Sequence, residues 1–353
     1  MALAKGMQSI VLPSELLALS PPPPPEQTHR QERERLPAFP SGEAATRTER
    51  ARSYLAAAGK QIEGLHRRGA SGLSVCRLIS EAMDRLLVGL WEEIFGEVRS
   101  GLSLVALGGY GRRELAPHSD LDLLLLRGPG TAEKSVAHLA ESFHTLLWDL
   151  KLAVGWSVRT PAQCARAAEE DHTVRTALLD CRYLAGDEPL YSRLEKGALR
   201  DLLSRRADAF IADKARELAA RRQKYGESIY LLEPNLKQGE GGLRDLQAAL
   251  WVAQARFRAR GLRELLQQSV LPQSEVAVLT AARDFLFRVR NHLHYLRGHK
   301  EDRLTFDLQE EVAAYLGYKS DERGLAVEQF MRHYYLAALA IRRAADALIG
   351  RCE

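Results

Sequence analysis

The stretch LVALGGYGRRELAPHSDLDLLLL, residues 104–126, decides the fold. Leu104, Val105, Ala106 and Leu107 form an apolar run that breaks at Gly108-Gly109, crosses a polar turn and resumes as an apolar run carrying Asp120 and Asp122. This pattern reads as strand, glycine turn, strand. Side chains alternate along a strand, so Asp120 and Asp122 share one face while Leu121 and Leu123 point into a core. Two carboxylates that close repel each other unless a cation lies between them, which makes the pair an expected set of metal ligands. The glycines lack a Cβ and let backbone N–H groups approach a phosphate. A D-x-D alone is commonly a solvated strand end; the glycine turn beside it is what points to nucleotidyl transfer.

The spacing adds to this. A Gly-Gly pair, an eleven-residue step from Gly109 to Asp120 and a D-x-D resemble the nucleotidyltransferase signature shared with DNA polymerase β. The resemblance implies catalysis by Asp120 and Asp122 with a divalent ion, Mg²⁺ or Mn²⁺. It also implies a nucleotide site built from Gly108, Gly109, Ser119 and the turn arginines Arg112 and Arg113. Proteins of this kind usually carry a third carboxylate on a following strand. The run VGWSVR, residues 154–159, reads as that strand and holds no acid; Asp149 and Asp180 are the nearest substitutes.

The 353 residues exceed one typical domain, and 46% hydrophobic content suffices for a large core, so two folded units are expected. Fifty Lys and Arg against 46 Asp and Glu give a net charge of +4, too balanced to argue by itself for a duplex-binding surface, and no nucleic-acid partner is expected. Arg205-Arg206 and Arg221-Arg222 read as solvated helix faces. The cysteines Cys76, Cys164, Cys181 and Cys352 lack paired or metal-ligand spacing, which suits a reducing cytoplasm. No apolar run approaches the roughly 20 residues of a bilayer span, and no signal-peptide pattern opens the chain, so no membrane association is expected.

Residues 1–42 hold the five-proline run Pro21 to Pro25 and few large apolar residues, and read as a disordered arm. Helical periodicity runs from Ala44 to Arg68, more strongly from Leu73 to Glu97, and again from Ala132 to Leu150. From Pro161 onward the pattern is helical over 161–170, 173–184, 187–226, 243–258, 261–268, 273–299, 306–317 and 324–350. Its one marked interruption is LEPNLKQGEGGLRD, residues 232–245, where Pro234, Gly239, Gly241 and Gly242 preclude a helix. Lys237 and Arg244 on this loop are candidates for a cleft or nucleotide role, since glycine loops that open a helix often bind anions. His292, His294 and His299 lack a shared helix face and an adjoining acid, and are assigned to packing or the surface.

Beyond the first block, LLWDLKLAVGWSVRT (146–160), LLDCRYLAGD (178–187), EPNLKQGEGGLRDLQAALW (233–251) and EDRLTFDLQ (301–309) resemble the bacterial PII uridylyltransferase/uridylyl-removing enzymes from about Gly69 onward. The 233–251 block is the most specific. The fold implied is α/β plus all-α: a polymerase-β-like nucleotidyltransferase domain with N-terminal helices over 43–160, then a helical domain over 161–353. The activity implied is transfer of UMP from UTP to a tyrosine hydroxyl of a PII protein. Another nucleotide or acceptor, or a non-catalytic module that docks PII or another partner, are the alternatives. The family continues into an HD hydrolase and two ACT domains, so a complete chain ending at Glu353 is expected to lack uridylyl removal and glutamine sensing. The family pattern also leads one to expect His near Trp156 and Gly near Arg113.

Overall fold

The computed structural model describes residues 36–40, 46–96, 100–131, 133–199, 207–226, 228–322 and 324–353. Two long helices open it, α1 (Arg47–Arg67) and α2 (Gly72–Phe95). Thr46 and Glu49 form a reciprocal capping box on α1, and Ser71 caps α2 by accepting from the Ser74 amide. Of the arm expected over 1–42, only 36–40 fall among the described residues. There Leu36 is buried, its carbonyl accepts from Arg85 at 2.7 Å, and Phe39 packs edge-on against Tyr54.

The sheet follows: β1 (Leu102–Ala106), a single helical turn α3 (Gly108–Gly111), β2 (Leu121–Arg127), α4 (Glu133–Asp149) and β3 (Val154–Arg159). After α5 (Pro161–Glu170) and α6 (His172–Leu179) comes a strand that periodicity does not predict, β4 (Arg182–Gly186). The strand order is β3-β2-β1-β4, with β2 antiparallel to β1 and parallel to β3, and β4 antiparallel to β1. Periodicity had extended one helix through 173–184. Instead α6 stops at Leu179 and the chain turns back along β1, where Val105 faces Tyr183 and Leu104 faces Ala185. The α/β unit therefore runs past residue 160 to Gly186 at least.

Both faces of the sheet are covered, which is why its central strands are nearly unbroken apolar runs. Leu104, Ala106, Leu121, Leu123 and Leu125 pack with α1, α2 and α4 in one core. Val105, Leu107, Leu124 and Leu126 pack on the other side with Cys164, Leu178, Leu190 and Leu194, the last two from α7 (Glu188–Arg193) and a following π-helical turn, 194–199. A third core is helical. It joins α8 (Ala207–Tyr225), α9 (Leu243–Phe257), α10 (Leu262–Gln267), α11 (Gln273–Arg297), α12 (Phe306–Tyr315) and α13 (Ala326–Cys352).

The two units are fastened through the start of α2. A Cβ on Gly72 would lie 2.2 Å from the Arg288 amide nitrogen and 2.6 Å from the Asp284 carbonyl oxygen, so only glycine lets α2 and α11 approach this closely. Asp284 accepts from the Leu73 amide at 2.9 Å, and Asn291 donates to the Gly72 carbonyl at 2.9 Å. The arginine pair Arg221-Arg222 is a second correction. Both guanidiniums bind the fully buried Asp245, at 2.7 and 2.8 Å, and so are not a solvated face. Arg205 and Arg206 lie outside the described residues. All four cysteines are free and buried. Among the described residues no helix is long and apolar enough to cross a membrane.

Candidate active site

The turn between β1 and β2 is shaped by its glycines. Gly108 takes a left-handed φ of 52°, and Gly111 packs so tightly on Asp180 that a Cβ would lie 1.8 Å from its carbonyl oxygen. The chain then reaches β2, where the Asp122 carbonyl accepts from the Leu107 amide at 2.9 Å. Asp120 stands just before β2 and Asp122 is its second residue; both are exposed, while Leu121 and Leu123 are buried as alternation requires. On β3, Gly155 lies in register with Asp122, and a Cβ there would come within 2.6 Å of Asp122 Oδ1. Gly155 thus keeps space open beside the carboxylate.

One cleft, enclosing about 840 Å³ with its open mouth, is lined by Gly108, Gly109, Arg112, Ser119, Asp120, Asp122, Lys237 and Arg244. That is every residue expected from the sequence except Arg113. Arg112 and Arg113 part company because Arg113 adopts φ 59°, in the region glycine favours, and its side chain turns to Glu81 and Asp84 at 3.6 and 3.8 Å. Glycine would adopt this positive φ without strain. The expectation that Arg113 meets the nucleotide is replaced by a structural pairing with α2.

Arg112 is held from three sides. It pairs with Glu114 at 2.7 Å, pairs more closely still with Asp180, and lies 5.7 Å from the centre of the Trp251 ring, on which Arg244 also stacks at 5.4 Å. Trp251 Nε1 donates to Asp180 at 3.0 Å. Burial pushes the Asp180 carboxyl up to about 6 in spite of Arg112. Burial would likewise raise Glu114, but Arg112 and Arg283 hold it down to about 2. Gln247 of α9 and Arg283 of α11 both donate to Glu114, so this one carboxylate ties the glycine turn to the helical unit.

The 232–245 loop approaches from the helical side. Asn235 caps its turn by accepting from the amides of Lys237 and Gln238 at 3.0 and 2.7 Å, and the Leu236 amide donates to the Asp302 carbonyl at 2.8 Å. Gly241, at φ 72°, passes so near α13 that a Cβ would lie 2.2 Å from the Ala338 carbonyl oxygen. Asp245 and Glu240 are occupied by Arg221, Arg222 and Arg342, which leaves Lys237 and Arg244 without an ion-pair partner among the described residues. Burial, with Arg290 and Arg244 nearby, lowers the Lys237 ammonium to about 8. Burial, with Arg112 and Arg221 nearby, lowers Arg244 to about 10. Two cations kept unpaired at such a cost suit an anionic ligand.

Asp122 shows the opposite strain. The cleft walls and then Asp120 raise its pKa, although Lys237 and Lys300 oppose the shift. Lys300, missed in the sequence, pairs with Asp120 at 2.8 Å from 180 positions away. Its only sequence signal is that it immediately precedes the EDRLTFDLQ block. Asp180 lines the cleft but is engaged by Arg112 and Trp251, while Asp149 lies outside the lining, its carbonyl accepting from Arg52. Among the described residues no group of three or more acids, histidines or cysteines is placed to hold a metal. The late histidines pack: His292 stacks on Tyr315 at 3.7 Å, and buried His294 donates to the Pro117 carbonyl and lies 3.3 Å from Asp302. His294 thereby fixes the turn that delivers Ser119 and Asp120.

Comparison with known proteins agrees with this layout. Residues 209–349 match the model of the GlnD PII-uridylyltransferase family, and residues 56–154 match the nucleotidyltransferase family DUF294. The chain is 41% identical over 294 residues to a bifunctional uridylyltransferase/uridylyl-removing enzyme of Pseudomonas putida, covering 82% of this chain and 32% of that protein. Enzymes of the same description from Pseudomonas aeruginosa and Azotobacter vinelandii are each 40% identical, again covering 82% of this chain and 32% of theirs. The chain thus spans about a third of the length of these relatives. The chain is thus similar to the GlnD PII-uridylyltransferase family over residues 209–349 and to a nucleotidyltransferase family over residues 56–154 ahead of it.

Proposed function

We propose that this chain is a divalent-metal-dependent nucleotidyltransferase that moves UMP from UTP to a tyrosine hydroxyl of a PII nitrogen-regulatory protein and releases pyrophosphate. The observation that carries the reading is the meeting, in one cleft, of the carboxylates Asp120 and Asp122 with the unpaired cations Lys237 and Arg244. The uridylyl group and the PII acceptor come from the family description and from the names of the relatives.

The residues fit a metal ion that arrives with the nucleotide. Two carboxylates without a third among the described residues make an incomplete cage, and Mg²⁺ is commonly held by one or two carboxylates together with substrate phosphates. The glycine at 155 leaves the space beside Asp122 that such a ligand needs. When bound, the ion would lower the pKa of the attacking hydroxyl and offset charge on the leaving pyrophosphate.

The chain's own groups do the rest. Gly108 and Gly109 admit the β and γ phosphates to the backbone. Lys237 and Arg244 supply positive charge from the opposite wall, where little water competes. Arg112, fixed by Asp180 and Glu114, adds a guanidinium that needs no reorganisation. We place the protein in the reducing cytoplasm, on its four free cysteines.

The test is incubation with labelled UTP, ATP, CTP and GTP, each separately, with Mg²⁺ and a PII protein. Uridylyl incorporation on tyrosine is expected. Incorporation from another triphosphate would move the base assignment. No incorporation from any of them would favour a non-catalytic PII-docking module, the reading supported by the lack of a third metal-binding carboxylate among the described residues.

A further inference from the structure

The ion pair between Lys300 and Asp120 has a consequence for how the cleft is loaded. In the free protein each cleft cation but three has a fixed acid: Arg112 has Glu114 and Asp180, and Arg290 has Asp302 at 2.6 Å. Lys237 and Arg244 have none among the described residues, and Lys300 reaches instead to Asp120, its ammonium 2.8 Å from Oδ2. Its ammonium therefore engages a carboxylate oxygen that a divalent ion on the Asp120 and Asp122 pair could use. An ammonium and a divalent cation on one carboxylate repel each other, so each weakens the other's hold on Asp120.

The segment that carries Lys300 suits an exchange. It follows the end of α11 at Gly298, in a left-handed conformation of φ 66°, and is pinned further on by the Asn235–Arg303 bridge and the Arg290–Asp302 pair. Between these anchors the Lys300 side chain is partly exposed and bound only at its tip. A long, flexible stem can swing its charge across the cleft without moving the backbone. Lys237, whose unpaired ammonium marks the phosphate side, lines the same cleft.

We propose that Lys300 is a built-in counter-ion for the carboxylate pair: it occupies Asp120 in the free protein, opposes divalent-ion binding in the absence of nucleotide, and passes to the triphosphate when nucleotide and metal enter together. This rests on the nucleotidyltransferase reading of Asp120 and Asp122. Lys300 is a positioning residue in the free state and a phosphate contact in the loaded one. It makes metal and nucleotide binding mutually dependent, because an ion alone must displace the lysine whereas a nucleotide offers the lysine a second anion.

The test is direct titration of Mn²⁺ into the nucleotide-free protein, followed by electron paramagnetic resonance or calorimetry, and then of UTP at saturating Mn²⁺. Lys300→Met should bind Mn²⁺ alone at least tenfold more tightly than the parent and UTP at least several-fold more weakly. In the double variant Lys300→Met with Asp120→Asn, the gain in Mn²⁺ affinity should vanish. Unchanged Mn²⁺ affinity in Lys300→Met would overturn the proposal, as would a gain that persists without the Asp120 carboxylate. Thermal melting checks folding, and an exposed pair contributes little to it. Failure of the transferase reading would appear separately, as absent UMP incorporation by the parent, while the Mn²⁺ titration still decides the role of Lys300.

Discussion

Lys237 offers a substitution whose effects on stability and on binding run in opposite directions. A lysine ordinarily titrates near 10.5; here burial and the nearby Arg290 and Arg244 bring it down to about 8. At about 1.4 kcal/mol for each pKa unit, that gap corresponds to roughly 3 kcal/mol spent on keeping the ammonium charged in the fold at neutral pH. Water at the cleft mouth screens part of it, so about 1–3 kcal/mol is the working range. Lys237→Met keeps the stem and removes the charge, and should raise the melting temperature at pH 7 by about 2–6 °C for a chain of this size. The sign over pH follows from linkage. Between the folded value of about 8 and the unfolded value of 10.5, the unfolded chain binds more protons, so the parent gains stability as pH rises through this window. The advantage of the variant is therefore full below pH 8 and gone above about 10.5. UTP affinity should fall, by about ten- to a hundredfold, through loss of a charged contact worth roughly 1.5–3 kcal/mol. Melting curves between pH 7 and 10 and calorimetric titration with UTP measure both effects. A lowered melting temperature would show that Lys237 is a structural pair partner, and unchanged UTP affinity would remove it from the nucleotide site.

Three further outcomes follow from the same geometry. Asp120→Asn and Asp122→Asn each keep shape while removing an anionic ligand, and should reduce UMP incorporation by on the order of a hundredfold or more with an unchanged circular dichroism spectrum; near-parental turnover in either would end the metal-site assignment. Gly155→Ala places a methyl 2.6 Å from Asp122 Oδ1, so the carboxylate must move. Turnover should drop about tenfold or more while stability changes by no more than about 1 kcal/mol, as read by kinetics beside a urea melt. Gly72→Ala meets backbone at 2.2 Å on α11, which cannot yield as a side-chain tip can. A loss of about 3 kcal/mol or more in a denaturant titration is expected, and a stable variant would show that the two units are not locked there.

Much of the site could be read from the chain because its parts are local. The glycine turn, Asp120 and Asp122 lie within one strand-turn-strand unit, and backbone alternation alone puts Leu121 and Leu123 inside and Asp122 outside. The third strand was legible at 154–159 for the same reason. The fourth strand was not: RYLAG is five residues long, its alternation is weak, and helices flank it on both sides. It becomes a strand because β1 presents an unpaired edge, a condition set by tertiary contact rather than by propensity.

The arginines show the same division. Arg112 and Arg113 are adjacent and chemically identical, yet a positive φ at Arg113 sends one to the cleft and the other to Glu81 and Asp84. Arg221 and Arg222 look like any exposed helix face until Asp245, 23 positions beyond Arg222, is found buried between them. The sequence by itself determined the carboxylate pair, the glycine turn and the division into an α/β and a helical unit, because periodicity and turn chemistry act over a few residues. Only the tertiary structure decided which charges are spent on the fold and which remain for a ligand. Whether an ionic group has a partner depends on residues up to 180 positions away, as Lys300 and Asp120 show, and no local pattern encodes that distance.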